Sequence, residues 1–119
     1  MTDPLGCATA AEWRRWLERH HDTETGVWLL IAKKHATRPG PSLVEATEEA
    51  LCFGWIDSAM RPVDEERYVL RYTPRRAKSN WSAVNRERAE RLIREGRMTE
   101  AGLATIEEAK RDGRWDRVP

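Results

Sequence analysis

Apolar residues recur along the chain with two distinct periods, and these mark out the elements. Trp13, Trp16, Leu17 and His20 fall at i, i+3, i+4 and i+7, the spacing of one helical face. Thr9 followed by Glu12 has the form of a capping box, so a first helix is expected over about 10–21. Val27 to Ala32 is an unbroken apolar run with β-branched residues. It predicts a strand buried on both faces and central in its sheet. The A-T-R-P-G-P segment breaks the chain. Ser42 and Glu45 repeat the capping-box pattern, and a second helix is expected to run to about Phe53, stopped by Gly54 in the left-handed conformation.

Two alternating segments follow, W-I-D-S-A-M-R-P-V and R-Y-V-L-R-Y-T-P, separated by Asp64, Glu65 and Glu66. They predict a β-hairpin with a short acidic loop. Strict alternation puts Ile56, Met60, Tyr68, Leu70 and Tyr72 on the buried face. Trp55, Asp57, Arg61, Val69, Arg71 and Thr73 fall on the other, and a three-residue loop would pair Asp57 with Thr73. Pro62 marks an edge strand or its end. Helices over about 81–95 and 100–112 complete the chain, stopped by Gly96 and Gly113. The order α-β-α-β-β-α-α predicts an α+β fold: a small three-stranded sheet with a β-hairpin, packed against about four helices, mostly on one side. The 119 residues suffice for a single domain spanning 1–119.

Charge changes this picture more than composition does. The net charge is only +1, but it is unevenly spread. Residues 1–66 carry a net of −5, residues 67–97 a net of +7 and residues 98–119 a net of −1. Six tryptophans stand against one phenylalanine, and tryptophan favours cores with a polar edge and binding surfaces. No apolar run reaches the ~20 residues that span a bilayer, so no membrane insertion is expected. The N-terminus reads as lacking a secretory signal, which leads to the expectation of a cytoplasmic protein with Cys7 and Cys52 reduced.

Candidate chemistry gathers around the predicted third helix. Trp81, Asn85, Arg88 and Leu92 share one of its faces. Asn85 there is either a core amide bonded to the backbone or a pocket wall. Ser79 and Ser82 lie near its start, after Arg75, Arg76 and Lys78, as an anion site or simply as caps. Trp55, Asp57 and Arg71 on the hairpin form either an ordinary cross-strand ion pair or one wall of a site. Cys52 has no histidine in a motif relation to it and reads as a small core hydrophobe. His20 and His21 lack a third metal ligand, and the sequence carries no cofactor signature. Glutamates at 87, 90 and 95 interleave with the arginines of helix three, so pairs such as Glu87 with Arg91 and Glu90 with Arg94 are expected.

Several long motifs are also distinctive. They are E-E-A-L-C-F-G-W-I-D-S (Glu48 to Ser58), T-P-R-R-A-K-S-N-W-S-A-V-N-R-E-R (Thr73 to Arg88), G-R-M-T-E-A-G (Gly96 to Gly102) and V-W-L-L-I-A-K-K. Together they resemble the YdeI/OmpD-associated family of small bacterial proteins, over about Trp13 to Trp115. The resemblance implies a part in bacteriocin protection, resistance to cationic antimicrobial peptides and stress survival, with a link to an outer-membrane porin. It implies no reaction. Its strongest motifs fall on Lys33, Lys34, Gly54, Trp55, Asp57, Ser58, Arg75, Ser79, Trp81, Ser82, Asn85 and Arg88.

The expectation that follows is a domain binding a small anionic ligand or an acidic peptide group. Trp55 and Trp81 would be walls, Arg71, Arg75 and Arg88 the charge, and Ser79, Ser82 and Asn85 the donors. Asp57 would orient an arginine or accept from the ligand. The alternatives are a nucleic-acid- or protein-interaction module using the basic 67–97 segment, and a hydrolase using Asp57 or Ser58. The sequence shows no nucleophile–base pair for the latter.

Overall fold

The computed structural model describes residues 3–117. Helix α1 spans Ala10–His20, strand β1 Val27–Ala32, helix α2 Leu43–Cys52, strand β2 Trp55–Pro62, strand β3 Arg67–Pro74, helix α3 Ala83–Arg94 and helix α4 Glu100–Arg111. The chain is an α+β fold in the expected order. Its caps follow the sequence closely. Thr9 Oγ1 accepts from Glu12 N, although Glu12 returns its bond to Ala8 N rather than to Thr9. Ser42 and Glu45 form the full reciprocal box. Gly54, at φ +76°, ends α2 in the left-handed region where a Cβ is disfavoured.

The antiparallel sheet runs β1-β3-β2, so β3 is central and β1 is not. This corrects the reading of β1 as a doubly buried central strand. Only Leu29 and Ile31 are fully shut off, on alternate positions. The intervening residues are apolar because other groups half-cover them. Trp28 lies beneath the guanidiniums of Arg61 and Arg71, 5.0 and 6.0 Å from its ring centroid. Leu5 bridges the outer edge of β1 through Leu5 N to Trp28 O and Leu30 N to Leu5 O.

The hairpin forms, but its faces differ from strict alternation. Trp55 pairs with Pro74, Ile56 with Thr73 and Asp57 with Tyr72. A bulge between Asp57 and Ala59 then shifts the register, so Met60 pairs with Leu70 and Arg61 with Val69. One extra residue, Ser58, exchanges the faces on either side of it. Trp55 therefore points into the core, at 1% exposure, and Ile56 to the opposite face. Met60 shares the face of Leu70 but lies beyond the helical cover, 65% exposed. Asp57 faces Tyr72, not Thr73.

The helices cover the sheet face bearing Leu29, Ile31, Leu70 and Tyr72. Trp13 sets its ring 5.4 Å from Tyr72 and donates Nε1 to the Ala46 carbonyl at 3.0 Å. Thr47 and Tyr72 share a buried hydroxyl–hydroxyl bond of 3.0 Å. Burial pushes the Tyr72 phenol well above its ordinary value, so it stays neutral and available for that bond. Glu48 and Glu49 on α2 meet Arg91 and Arg97, and Glu49 also meets Arg14, tying α1, α2 and α3 together. Among the described residues the opposite face of the sheet carries no helix.

Candidate functional site

On the uncovered sheet face an open cleft of about 650 Å³ is lined by Glu24, Thr25, Ile56, Ser58, Arg71, Thr73, Pro74, Arg75, Arg76 and Ser79. Alternation along β3 builds it. Residues 71, 73 and 75 project to the side away from Tyr72. Arg71 lies low because Gly26 leaves room for it: a Cβ there would stand 2.7 Å from Arg71 Nη2. Ser58 Oγ donates to the Arg71 carbonyl at 3.3 Å, so the bulge residue is held at the cleft's rim.

Arg75 begins the loop between β3 and α3, and its side chain is fixed on two sides. Its guanidinium carbon lies 3.7 Å from the centroid of the Trp81 ring. Nη1 donates to Ser79 Oγ at 2.9 Å and to the Asn80 carbonyl at 3.3 Å. Trp81 is in turn held edge-on by Trp115, 5.0 Å away, and Arg114 Nη1 donates to the Ser79 carbonyl. Lys78, at φ +64°, is the one non-glycine in the left-handed region among the described residues, and it turns the loop back toward Trp81.

Three guanidiniums thus border one cleft, and none of them makes an ion pair with a carboxylate among the described residues. Glu24 is the single acidic group in the lining. Burial, then the charge of Arg114, pulls the Arg75 pKa down to about 10, and Asp57 only partly opposes this. The Nε and Nη2 atoms of Arg75 are shut from solvent and have no hydrogen-bond partner. Two of the four arginines of α3 differ in this respect. Arg86 pairs with Glu90 at 3.8 Å and Arg91 with Glu95 and Glu48. The compensation expected on α3 is present, though through partners other than Glu87–Arg91 and Glu90–Arg94.

The sheet divides the residues that the sequence singled out. Arg71, Arg75, Ser79 and Ser58 come together at the cleft. Trp55 does not: it is a core side chain, set edge-on to Trp16 at 5.9 Å with Nε1 donating to the His21 carbonyl. Trp81 supports Arg75 from behind, outside the cleft lining. Ser82 is the N-cap of α3, its Oγ accepting from Asn85 N at 3.1 Å. Asn85 accepts from Arg88 Nη1 at 3.2 Å on the helix itself. Asp57 is exposed on the Tyr72 side. Arg76, named in the sequence beside Arg75 near the helix start, joins the cleft residues, and Glu24, Thr25, Ile56, Thr73 and Pro74 complete the lining without having been selected. The bulge at Ser58 is what brings Ile56 to that face, and nothing in the alternation pattern announces it.

Nucleophilic and metal chemistry find little support in this geometry. Cys52 is fully buried, and burial raises its thiol above the ordinary value, away from a reactive thiolate. Ser58 donates to the Arg71 carbonyl, while His21 Nδ1 bonds the Leu17 carbonyl and His35 Nε2 the Glu65 carbonyl. No group of three or more His, Cys, Asp or Glu placed to hold a metal occurs among the described residues. No helix among them is long and apolar enough to cross a membrane.

A family model described as a domain of unknown function, DUF8412, matches residues 5–105. The chain belongs to that family. No curated protein and no solved structure matches it. The DUF8412 match takes in the whole cleft lining and Trp81. Arg114 and Trp115, which brace the Arg75–Trp81 stack from beneath, lie beyond it.

Proposed function

We propose that this DUF8412 domain binds a small anionic ligand or the acidic group of a peptide in the cleft on the uncovered face of its sheet. The observation that carries the reading is the set Arg71, Arg75 and Arg76 around one cleft with no carboxylate partner among the described residues. Unpaired cations are costly in proportion to their burial, and an anion in the cleft offsets that cost. Thr73 and Ser79 supply hydroxyls for the remaining ligand oxygens. The pairing of Arg86 and Arg91 with glutamates weakens the case for a nucleic-acid module built on the whole 67–97 segment. The resemblance to YdeI/OmpD-associated proteins suggests that such binding serves survival under antimicrobial-peptide or bacteriocin stress, and this role is part of the same proposal.

Thermal-shift and calorimetric titration with inorganic phosphate, acetate, citrate and nucleoside monophosphates tests the reading. At least one of them should bind saturably and raise the melting temperature. Arg71→Ala/Arg76→Ala should weaken that binding about tenfold or more, since hydrogen bonds to charged groups contribute about 1.5–3 kcal/mol each. Absence of saturable binding across the series, or binding indifferent to the double variant, overturns it.

A further inference from the structure

Which part of the cleft reads the anion follows from which nitrogens are unused. A guanidinium has five N–H donors in one plane, and they are not equivalent. Nε–H and the adjacent Nη2–H point the same way and form a parallel pair, whereas Nη1 projects from the other side. In Arg75, Nη1 is occupied by Ser79 Oγ and the Asn80 carbonyl. The two nitrogens left without partners are Nε and Nη2. The unused donors are therefore the two of one edge, the arrangement that receives two oxygens of one carboxylate or phosphate. Arg67 makes a useful contrast. It leaves a single buried nitrogen, Nε, unpartnered, while its Nη2 has Asp64 at 3.4 Å.

The rest of the environment holds the guanidinium in place without giving that edge a hydrogen-bond partner. Trp81 occupies one face of the guanidinium, and Ser79 and Asn80 fix its rotation. A void of only about 20 Å³ adjoins it, lined by Arg75, Arg76, Ser79, Trp81, Thr105, Glu108 and Arg114, with room for about one water. Glu108, the acidic group there, already takes bonds from Arg114 and from Lys78 N.

We propose that the Nε–Nη2 edge of Arg75 is the anion-reading fork of the cleft, taking a carboxylate or a phosphate through two parallel hydrogen bonds, with Ser79 and Trp81 as its positioning residues. This rests on the cleft reading above and specifies the recognition element within it. The edge has no solvent access in the free protein, so the ligand reaches it through a shift of the Arg75 side chain or of the 76–80 turn beside it.

The test follows the arginine Nε–H resonances of ¹⁵N-labelled protein while sodium acetate, and in a second series inorganic phosphate, is added at constant ionic strength. Arg75→Lys assigns the Arg75 signal. That signal should shift saturably with at least one of the two anions, and the stronger arm identifies the ligand as a carboxylate or a phosphate. Arg75→Lys keeps a charge but not the parallel pair, and should weaken binding about tenfold or more. Ser79→Ala, which keeps the guanidinium and frees Nη1, should weaken it by a smaller factor. Saturable binding lost in Arg71→Ala/Arg76→Ala but unchanged in Arg75→Lys, with a static Arg75 Nε–H, overturns the fork and leaves the cleft reading standing. A shift of the Arg75 signal that disappears in Asp57→Asn, without bound anion, identifies Asp57 as the internal partner and equally overturns it. No saturable binding to any variant removes the cleft reading itself.

Discussion

At the scale of single residues, Arg75 is the point where stability and binding pull apart. Its pKa, pushed down to about 10 from the ordinary guanidinium value, means that the folded state releases the proton more readily than the unfolded chain does. The sign is that of a charged group the fold tolerates at a cost. That cost is present in full below about pH 10 and is relieved as pH rises from there toward the ordinary guanidinium value. Arg75→Met removes the cation while keeping much of the side-chain volume over Trp81. It sacrifices a cation–π contact of about 0.5–2 kcal/mol and two hydrogen bonds of about 1 kcal/mol each. An uncompensated buried charge costs several kcal/mol. The melting temperature of Arg75→Met at neutral pH, in buffer free of multivalent anions, should therefore equal or exceed that of the parent. A loss of more than about 2 kcal/mol would mean that the guanidinium is already satisfied inside the protein. The tryptophans show how far residue identity alone carries. Six of them announce either a core or a binding surface. Both Trp55 and Trp81 prove to be buried, Trp55 on the core face of the hairpin and Trp81 against Arg75 beyond it.

At the scale of elements, caps and stops were legible in the sequence and faces were not. Thr9, Ser42, Gly54, Gly96 and Gly113 act where local chemistry says they should, since a cap or a left-handed turn needs only its neighbours. The bulge at Ser58 has no such local signature. It exchanges Trp55 and Ile56 between core and cleft, and so it decides which residues form the site. The centrality of β3 was also hidden. β1 is the more apolar strand, but only because Trp28 and Leu30 are half-covered by Arg61, Arg71 and the Leu5 segment. The hairpin loop makes its own prediction. The Asp64 carboxylate accepts from Glu66 N and Arg67 N, and Glu66 accepts from Thr37; these bonds hold both carboxyls below their ordinary values. Stability from depressed carboxylates is fully present above the ordinary carboxyl pKa and is lost as pH falls through the lower folded-state value. The 33–38 and 63–67 loops should loosen together on acidification below about pH 4, ahead of the α1–α2 core. Amide exchange measured across that range checks this. Asp64→Asn should flatten the acid limb for these two loops alone, and an unchanged limb would contradict it.

At the scale of the whole molecule, the asymmetry of the fold explains the asymmetry of the charge. Helices close one face of the sheet with an apolar core and the Glu48–Glu49–Arg14–Arg91–Arg97 network, in which most charges are neutralised. The other face is left to Arg71, Arg75 and Arg76, which are not. The net charge of +7 over residues 67–97 therefore divides into arginines paired with carboxylates, Arg67, Arg86, Arg91 and Arg97, and a set at the cleft that is not. The sequence located the charge and could not divide it, since pairing across elements, such as Arg91 with Glu48, is set only by packing. The most direct measurement is backbone chemical-shift mapping during a titration with inorganic phosphate or acetate. Saturable perturbations should concentrate on Thr25, Ile56, Ser58, Thr73 and Ser79, with Ser82, Asn85 and Arg88 on the helical side little affected. Perturbations centred on those three α3 residues, or no saturable perturbation with either anion, would contradict the account.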